Sequence, residues 1–241
     1  MELFIDIESI PSQDPKILEM LSEDLVKERE EAIAAVKAPS NYKDPAKIEE
    51  FCVQQRARLV QEHTAKIEEA HLRTALDGLG HVCVVGYAFG DGDVQTMSVD
   101  DLTWDAEYRL LRGFFGEVED HLDAGLLLVV GHNLVGFELP FLWKRAMVQG
   151  GNPPPIFPRD PKPWPDERTF DTMTTWAGPR GYITLKKLAC VLGLRPEADI
   201  HGSEVWSLVQ AGRLHDVVAH CARDVALVRD IYRRMTFRRG P

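Results

Sequence analysis

Phe4-Ile5-Asp6-Ile7-Glu8 is the stretch on which the fold turns. Its β-branched and aromatic residues predict a strand, and alternate side chains of a strand share a face, so Asp6 and Glu8 project together from one side of the pleat. An apolar edge strand at an N-terminus has no packing use for two carboxylates on its inner face, because burying an unpaired carboxylate is costly. A cation satisfies such a pair, and hard oxygen donors point to magnesium or manganese. Asp-x-Glu alone is a weak signal and needs partners further along the chain.

The chain around this strand has 241 residues, 44% of them apolar, which suits one globular core with or without an appendage. No apolar run approaches the ~18 to 20 residues of a membrane span, and the N-terminus lacks a basic segment with a cleavage site, so a cytoplasmic protein without membrane contact is expected. Cys52, Cys83, Cys190 and Cys221 are scattered without a C-x-x-C pair and read as free, buried thiols rather than zinc ligands or a disulfide framework. A net charge of −10 argues against a protein that coats duplex DNA through a broad basic surface, but not against an acidic site neutralised by metal. The densest basic patch is Arg229, Arg233, Arg234, Arg238 and Arg239. It reads either as a phosphate contact or as a solvated helix end complementing the helix dipole.

After the first strand, residues 14–77 carry Lys, Arg and Glu at helical spacing, with a break at Ala38-Pro39-Ser40-Asn41. Two helices are expected, forming a charged hairpin-like insertion over residues 12–77. Ile48, Phe51, Cys52, Leu59 and Ile67 give the second helix one apolar stripe, able to dock on its own domain or on a partner. His81 to Phe89 and Val94 to Val99 then predict a hairpin about the turn Gly90-Asp91-Gly92-Asp93. Trp104 to Leu122 has helical periodicity, and Leu126 to Val130 is the continuous apolar run of a buried parallel strand. A helix should start near Phe137. The proline-rich stretch from Pro153 to Pro165 predicts a loop, Thr169 to Asp171 a short last strand, and the remainder helices. This order predicts a single α/β domain with a mixed sheet flanked by helices.

Two further sets of polar residues fall where such a fold places ligands. The buried strand runs into Gly131-His132-Asn133-Leu134-Val135-Gly136-Phe137-Glu138, beyond a strand carboxyl end, where open α/β sheets form their crevice. Glu138 is a candidate third carboxylate, or equally a first-turn acid favoured by the helix dipole. His132 reads as a structural hydrogen-bonder and Asp171 as a helix cap. On the last helix His220 and Asp224 are four residues apart and share one face, beside the apolar stripe Val217, Val218, Cys221, Val225, Val228 and Met235.

Taken in order, these segments resemble the DEDD, or DnaQ-like, 3′–5′ exonucleases of ribonuclease H-like fold. The resemblance is closest to predicted exonucleases related to the proofreading domain of B-family DNA polymerases, including phage-encoded versions with a charged helical insertion after the first strand. Asp6 and Glu8 match the first motif, Asn133 to Glu138 the second, and His220 to Asp224 stands where the third has Tyr-x-x-x-Asp. Phe170-Asp171-Thr172-Met173, Leu185-Lys186-Lys187-Leu188-Ala189, Leu192-Gly193-Leu194 and Gly202-Ser203-Glu204-Val205-Trp206 are similar to further stretches of that group.

The resemblance implies a two-metal hydrolysis of terminal phosphodiesters at the 3′ ends of single-stranded DNA, with RNA as an alternative substrate. Asp6, Glu8, Glu138 and Asp224 would hold two Mg2+ or Mn2+ ions. His220 would position or deprotonate water, and Ile7, Ser9, Asn133, Phe137 and Lys186 would meet the substrate. Phe137 reads equally as a core residue of the helix start, and Lys186 and Lys187 equally as an exposed helix face. Three departures stand out. Glu138 replaces the usual Asp and adds about 1.5 Å of reach. His220 replaces Tyr, while the position five before Asp224, where a histidine base stands in the other branch of the family, is Ala219. Glu204 stands where Lys is expected and removes a phosphate contact. Two alternatives keep the fold and drop turnover: a nucleic-acid-binding module, or a scaffold meeting a replication or recombination protein through the insertion.

Overall fold

The computed structural model describes residues 1–122, 125, 128–157, 167–197 and 200–238. Strands β1 (Glu2–Ile10), β2 (His81–Phe89), β3 (Gln95–Ser98), β4 (Leu128–Gly131) and β5 (Thr169–Asp171) form one sheet in the order β3-β2-β1-β4-β5. β1 is therefore the central strand and not the edge strand expected from its place at the N-terminus. It pairs antiparallel with β2, Asp6 opposite Gly86, and parallel with β4, Phe4 opposite Val130. β5 extends the sheet parallel to β4. This is the mixed, helix-flanked α/β sheet expected from the sequence.

The alternation of β1 sends side chains into two layers. Leu3, Ile5 and Ile7 join the main core with Leu110, Leu111, Phe114 and Val118 of α3 (Trp104–Leu122), the crossover helix between the hairpin and β4. Phe4 faces the other side, where it meets Val225, Val228 and Tyr232 of α8 (Leu214–Met235). Full burial of each such aliphatic side chain contributes about 1.5–3 kcal/mol, so the two layers hold β1 from both faces. The remaining helices are α4 (Glu138–Gln149), α5 (Thr172–Ala177), α6 (Leu185–Val191) and α7 (Val205–Gln210), the last preceded by a 3-10 turn at Gly202–Glu204. Part of the proline-rich stretch, residues 158–165, and the first two residues of the expected strand, 126–127, lie outside the described residues.

The insertion forms α1 (Pro15–Ala34) and α2 (Pro45–Asp77). Both start alike: Asp14 and Asp44 cap the first turn, accepting from the amides of Lys16 and Ala46 at 2.9 and 3.0 Å, and each is followed by a proline whose missing N–H the first turn does not need. No residue of α1 is buried, and the apolar stripe of α2 is only half-buried where the two helices lie together. The hairpin is fixed at its base. The Ser9 hydroxyl donates to Ala75 O at 2.5 Å, the Ser12 amide to the Thr74 hydroxyl at 2.7 Å, and Gly80 N to Thr74 O at 2.7 Å.

A buried polar network locks that base to the core. Arg145 of α4 meets Glu107 of α3 through two parallel bonds of 2.8 and 2.6 Å and donates to Gly78 O at the end of α2. Glu107 also accepts from the Val82 amide of β2 and from Gln149, at 2.8 and 2.7 Å. Among the described residues no helix is long and apolar enough to cross a membrane.

Candidate active site

α8 runs antiparallel to β1 and meets it through one aromatic and two polar contacts. The Phe4 and Tyr232 rings pack edge to face at 5.5 Å, the Cys221 thiol donates to Asp6 O at 3.5 Å, and His220 Nε2 stands 3.3 Å from Glu8 Oε1. The helix thus runs back along the strand, Tyr232 meeting Phe4 and the adjacent Cys221 and His220 meeting Asp6 and Glu8. The approach depends on Gly86, opposite Asp6, where a Cβ would stand 2.8 Å from Cys221 Sγ and 2.9 Å from a Val225 methyl. Any side chain there would push α8 off the strand. The isolated glycine within the apolar run of β2 was the available signal for this contact.

The second motif is positioned from β4 and β5. Asp171, buried at the end of β5, caps α5 through the amides of Met173 and Thr174 at 2.9 and 3.2 Å. The same carboxylate accepts from the amides of Asn133 and Val135, both at 3.1 Å, and so pins the β4–α4 loop to the neighbouring strand. His132 reinforces this connection, with Nδ1 2.9 Å from the Thr172 hydroxyl and Nε2 2.9 Å from Ile183 O; burial holds its pKa below the usual value. Asn133 has φ 63°, and a Cβ at Gly136 would fall 2.3 Å from Asn133 Oδ1, so the tight turn needs both residues. The turn delivers Glu138 as the first residue of α4.

Glu138 is 4% exposed, and its Oε2 has no hydrogen-bond partner among the described residues. It does not cap its helix from outside. Burial, and after it the nearby Asp6 carboxylate, pushes Glu138 well above the ordinary carboxylate range. Asp6 is pushed up to about 8, first by burial and then by Asp224. Asp6 is therefore the hub of the cluster. One oxygen each of Asp6 and Glu8 and the Sγ of Cys221 lie within 4.8 Å of one another, and His220 Nε2 lies 3.7 Å from Asp224 Oδ2 as well as against Glu8. Cys221 is held protonated by the same surroundings, burial first and then Asp6 and Glu8.

Asp6, Glu8, Glu138, His220 and Asp224 are thus brought together from β1, α4 and α8. The other expected substrate residues stand differently. Ile7 is a buried core residue on the opposite face of β1, and the Ser9 hydroxyl is engaged with the base of α2. Phe137 is half-buried, its ring 5.3 Å from Phe141, so it serves the core and keeps one side open. Lys186 donates to Ile200 O at 3.3 Å and lines a cleft of about 280 Å³ with Arg195, Arg223 and Asp224. Glu204 accepts from His201 N at 2.7 Å and caps the 3-10 turn.

Two readings of the sequence need correction. Cys83 and Cys221 are buried, but Cys190 is exposed and Cys52 only half-buried. Of the C-terminal arginines, Arg229, Arg233 and Arg238 are engaged within the domain, while Arg234 is exposed on the helix end. Arg229 donates to Gly92 O at 2.6 Å, Arg233 pairs with Asp91 at 2.5 Å and Arg238 with Glu2, while Arg239 lies outside the described residues.

The donor set fits a hard divalent cation. Oxygens of Asp6 and Glu8 lie within 4.8 Å of each other, Asp224 and Glu138 both interact electrostatically with Asp6, a buried oxygen of Glu138 lacks a partner, and among the described residues no lysine or arginine pairs with Asp6 or Glu138. Carboxylate oxygens are the ligands that magnesium and manganese prefer.

A solved structure of the family B DNA polymerase from the hyperthermophilic archaeon Pyrobaculum calidifontis is 18% identical, with a TM-score of 0.46, over 63% of this chain and 21% of that one. The chain thus matches about a fifth of the polymerase. No curated protein matches. The family model for predicted 3′–5′ exonucleases related to the exonuclease domain of PolB matches residues 69–241. That span contains Glu138, His220 and Asp224, whereas Asp6 and Glu8 precede it, separated by the insertion. Over most of its length, therefore, this chain belongs to the family of predicted 3′–5′ exonucleases related to the exonuclease domain of PolB.

Proposed function

We propose that the chain is a divalent-metal-dependent exonuclease that removes nucleotides from the 3′ ends of single-stranded DNA. The observation that carries this reading is the convergence on Asp6 of Glu8, Glu138 and Asp224, with one buried oxygen of Glu138 left without a partner. Asp6, Glu8, Glu138 and Asp224 would hold two Mg2+ or Mn2+ ions, which when bound supply an activated water and neutralise charge at the scissile phosphodiester. DNA as the substrate follows the family's relation to a polymerase domain.

The chain's own residues do the rest. His220, between Glu8 and Asp224, has an imidazole nitrogen placed to orient the attacking water and take up its proton. Asp171 fixes the β4–α4 loop, so Glu138 meets Asp6 without rearrangement when substrate arrives. The open side of Phe137, next to Glu138, offers a ring to the terminal base, and Asn133 holds the turn beside it. Water attack at the last phosphodiester breaks the P–O3′ bond and releases a nucleoside 5′-monophosphate, leaving a new 3′ hydroxyl.

The test uses single-stranded DNA and RNA labelled at either end, with Mg2+, Mn2+ or chelator, and compares the wild type with Asp6→Asn. Stepwise shortening from the 3′ end that needs metal and Asp6 is the expected result. Folded protein that shortens neither polymer with either metal overturns the assignment.

A further inference from the structure

The segment from α5 to α6 carries two exposed aromatics that packing does not explain. Trp176 is 47% exposed in the last turn of α5, and Tyr182 is 78% exposed in the connection. The connection is tightly built. Gly178 N bonds to Thr174 O at 2.9 Å and Gly181 N to Gly178 O at 3.0 Å, closing consecutive turns. The next residue but one, Ile183, buries its side chain with Met173, Leu188 and Ile231, and its carbonyl meets His132 Nε2 at 2.9 Å. The backbone on both sides of Tyr182 is thereby fixed, and the ring is held out in solvent next to the residue that meets the β4–α4 loop.

The position of that ring is informative. His132, whose ring holds the Ile183 carbonyl, belongs to the turn that delivers Glu138. On the other side, α6 begins three residues later, and Lys186 lines the cleft that reaches Asp224. Tyr182 thus lies on the stretch of chain that links the second motif to the rim of the third. Cations are frequent here in a chain of net charge −10: Arg180 and Lys187 lie on the same segment, and Lys186, Arg195 and Arg223 stand in the cleft against Glu197, Asp224 and Asp230. An exposed aromatic face among cations is the composition that holds unpaired nucleotides, phosphates on the cations and a base on the ring.

We propose that Tyr182 is a stacking platform for an unpaired base of the substrate strand, a role that rests on the exonuclease reading above and adds where the strand runs. The strand lies from Asp6 and Asp224 along the mouth of the cleft and over the α5–α6 connection, its backbone beside Lys186 and Arg223. Inside a duplex both faces of every internal base are covered, so beyond the terminal pair only an unstacked base can meet the ring face. Tyr182 therefore distinguishes a single-stranded or frayed 3′ end from a closed duplex end, and it acts in binding and not on the reacting atoms.

The experiment measures affinity by fluorescence anisotropy in the full chain carrying Asp6→Asn, which removes hydrolysis. Single-stranded oligonucleotide and blunt duplex of equal length are compared for Tyr182, Tyr182→Phe and Tyr182→Ala. The expected result is about a tenfold loss of single-strand affinity in Tyr182→Ala, affinity within about twofold in Tyr182→Phe, and no change for duplex. In the active chain, Tyr182→Ala should raise KM for single strands and leave kcat in place. Equal single-strand binding by Tyr182→Ala and the parent overturns the platform and leaves the exonuclease assignment standing. A parent that binds no oligonucleotide, with or without Mn2+, overturns both.

Discussion

His220 Nε2 stands 3.3 Å from Glu8 Oε1 and 3.7 Å from Asp224 Oδ2, so one imidazole nitrogen faces two carboxylates from different elements. The i, i+4 spacing on α8 sets the second distance and the antiparallel run of α8 over β1 sets the first. In the proposed role of general base, His220 would contribute about 10²–10⁴-fold to rate. His220→Ala should lower kcat by about 100-fold or more with little change in KM. Tyrosine occupies this place in the family motif, so His220→Tyr should recover part of the loss. Steady-state kinetics on a labelled oligonucleotide checks both, and a His220→Ala enzyme of normal kcat would remove the residue from the mechanism.

Asp6 titrates near 8 when no cation is present, against about 3.9 in the unfolded chain. A folded-state pKa raised above the unfolded value means that the folded chain holds the proton more tightly. The associated stability is complete below about pH 4 and is lost as pH rises through 8. The chelated protein should melt at lower temperature at pH 8.5 than at pH 6, and Asp6→Asn should flatten that dependence and raise the pH 8.5 melting temperature. Calorimetric melting across this range tests the sign. A chelated wild type that gains stability from pH 6 to 8.5 contradicts it.

Glu138 is buried beside Asp6 with one oxygen lacking a partner among the described residues, a costly arrangement unless a cation completes it. Glu138→Gln should therefore be neutral or stabilising in chelator and damaging with metal. A ligand present at 100 times its Kd stabilises by about 2.7 kcal/mol, and most of that gain should vanish in the variant. Thermal melts with and without Mn2+ read the difference directly. An equal Mn2+-induced rise in wild type and Glu138→Gln would take Glu138 out of the cation site.

The site was legible in the sequence to the extent that polar residues interrupted apolar periodicity. Asp6 and Glu8 break the run of β1, and Glu138, His220 and Asp224 sit where strand ends or helix faces meet it. The centrality of β1 was not legible, because strand order depends on which partners the crossovers bring alongside. The second duty of Asp171 was hidden for a related reason: its bonds to Asn133 and Val135 span 38 and 36 residues and leave no local pattern. The engagement of Arg229 and Arg233 with the β2–β3 turn is equally non-local, and a run of arginines at a helix end looks the same whether it faces phosphate or Gly92 and Asp91.

Glu107 and Arg145 show what holds the insertion to the sheet and its flanking helices. Their side chains are 1% and 3% exposed, and the pair also engages Val82, Gln149 and Gly78, so it joins α3, α4 and β2 to the end of α2. Removing one partner of a buried pair leaves an uncompensated charge and costs about 3–5 kcal/mol, whereas replacing both with apolar residues of similar size is often neutral. Arg145→Met should lower unfolding free energy by that amount, and adding Glu107→Leu should recover part of it. The recovery should be incomplete, because Gly78 O and the Val82 amide also lose their partners. Urea denaturation of the single and double variants supplies the comparison. If Arg145→Met costs less than about 1 kcal/mol, the ion pair is not what locks the hairpin base, and the Ser9, Ser12 and Gly80 bonds to α2 carry that attachment instead.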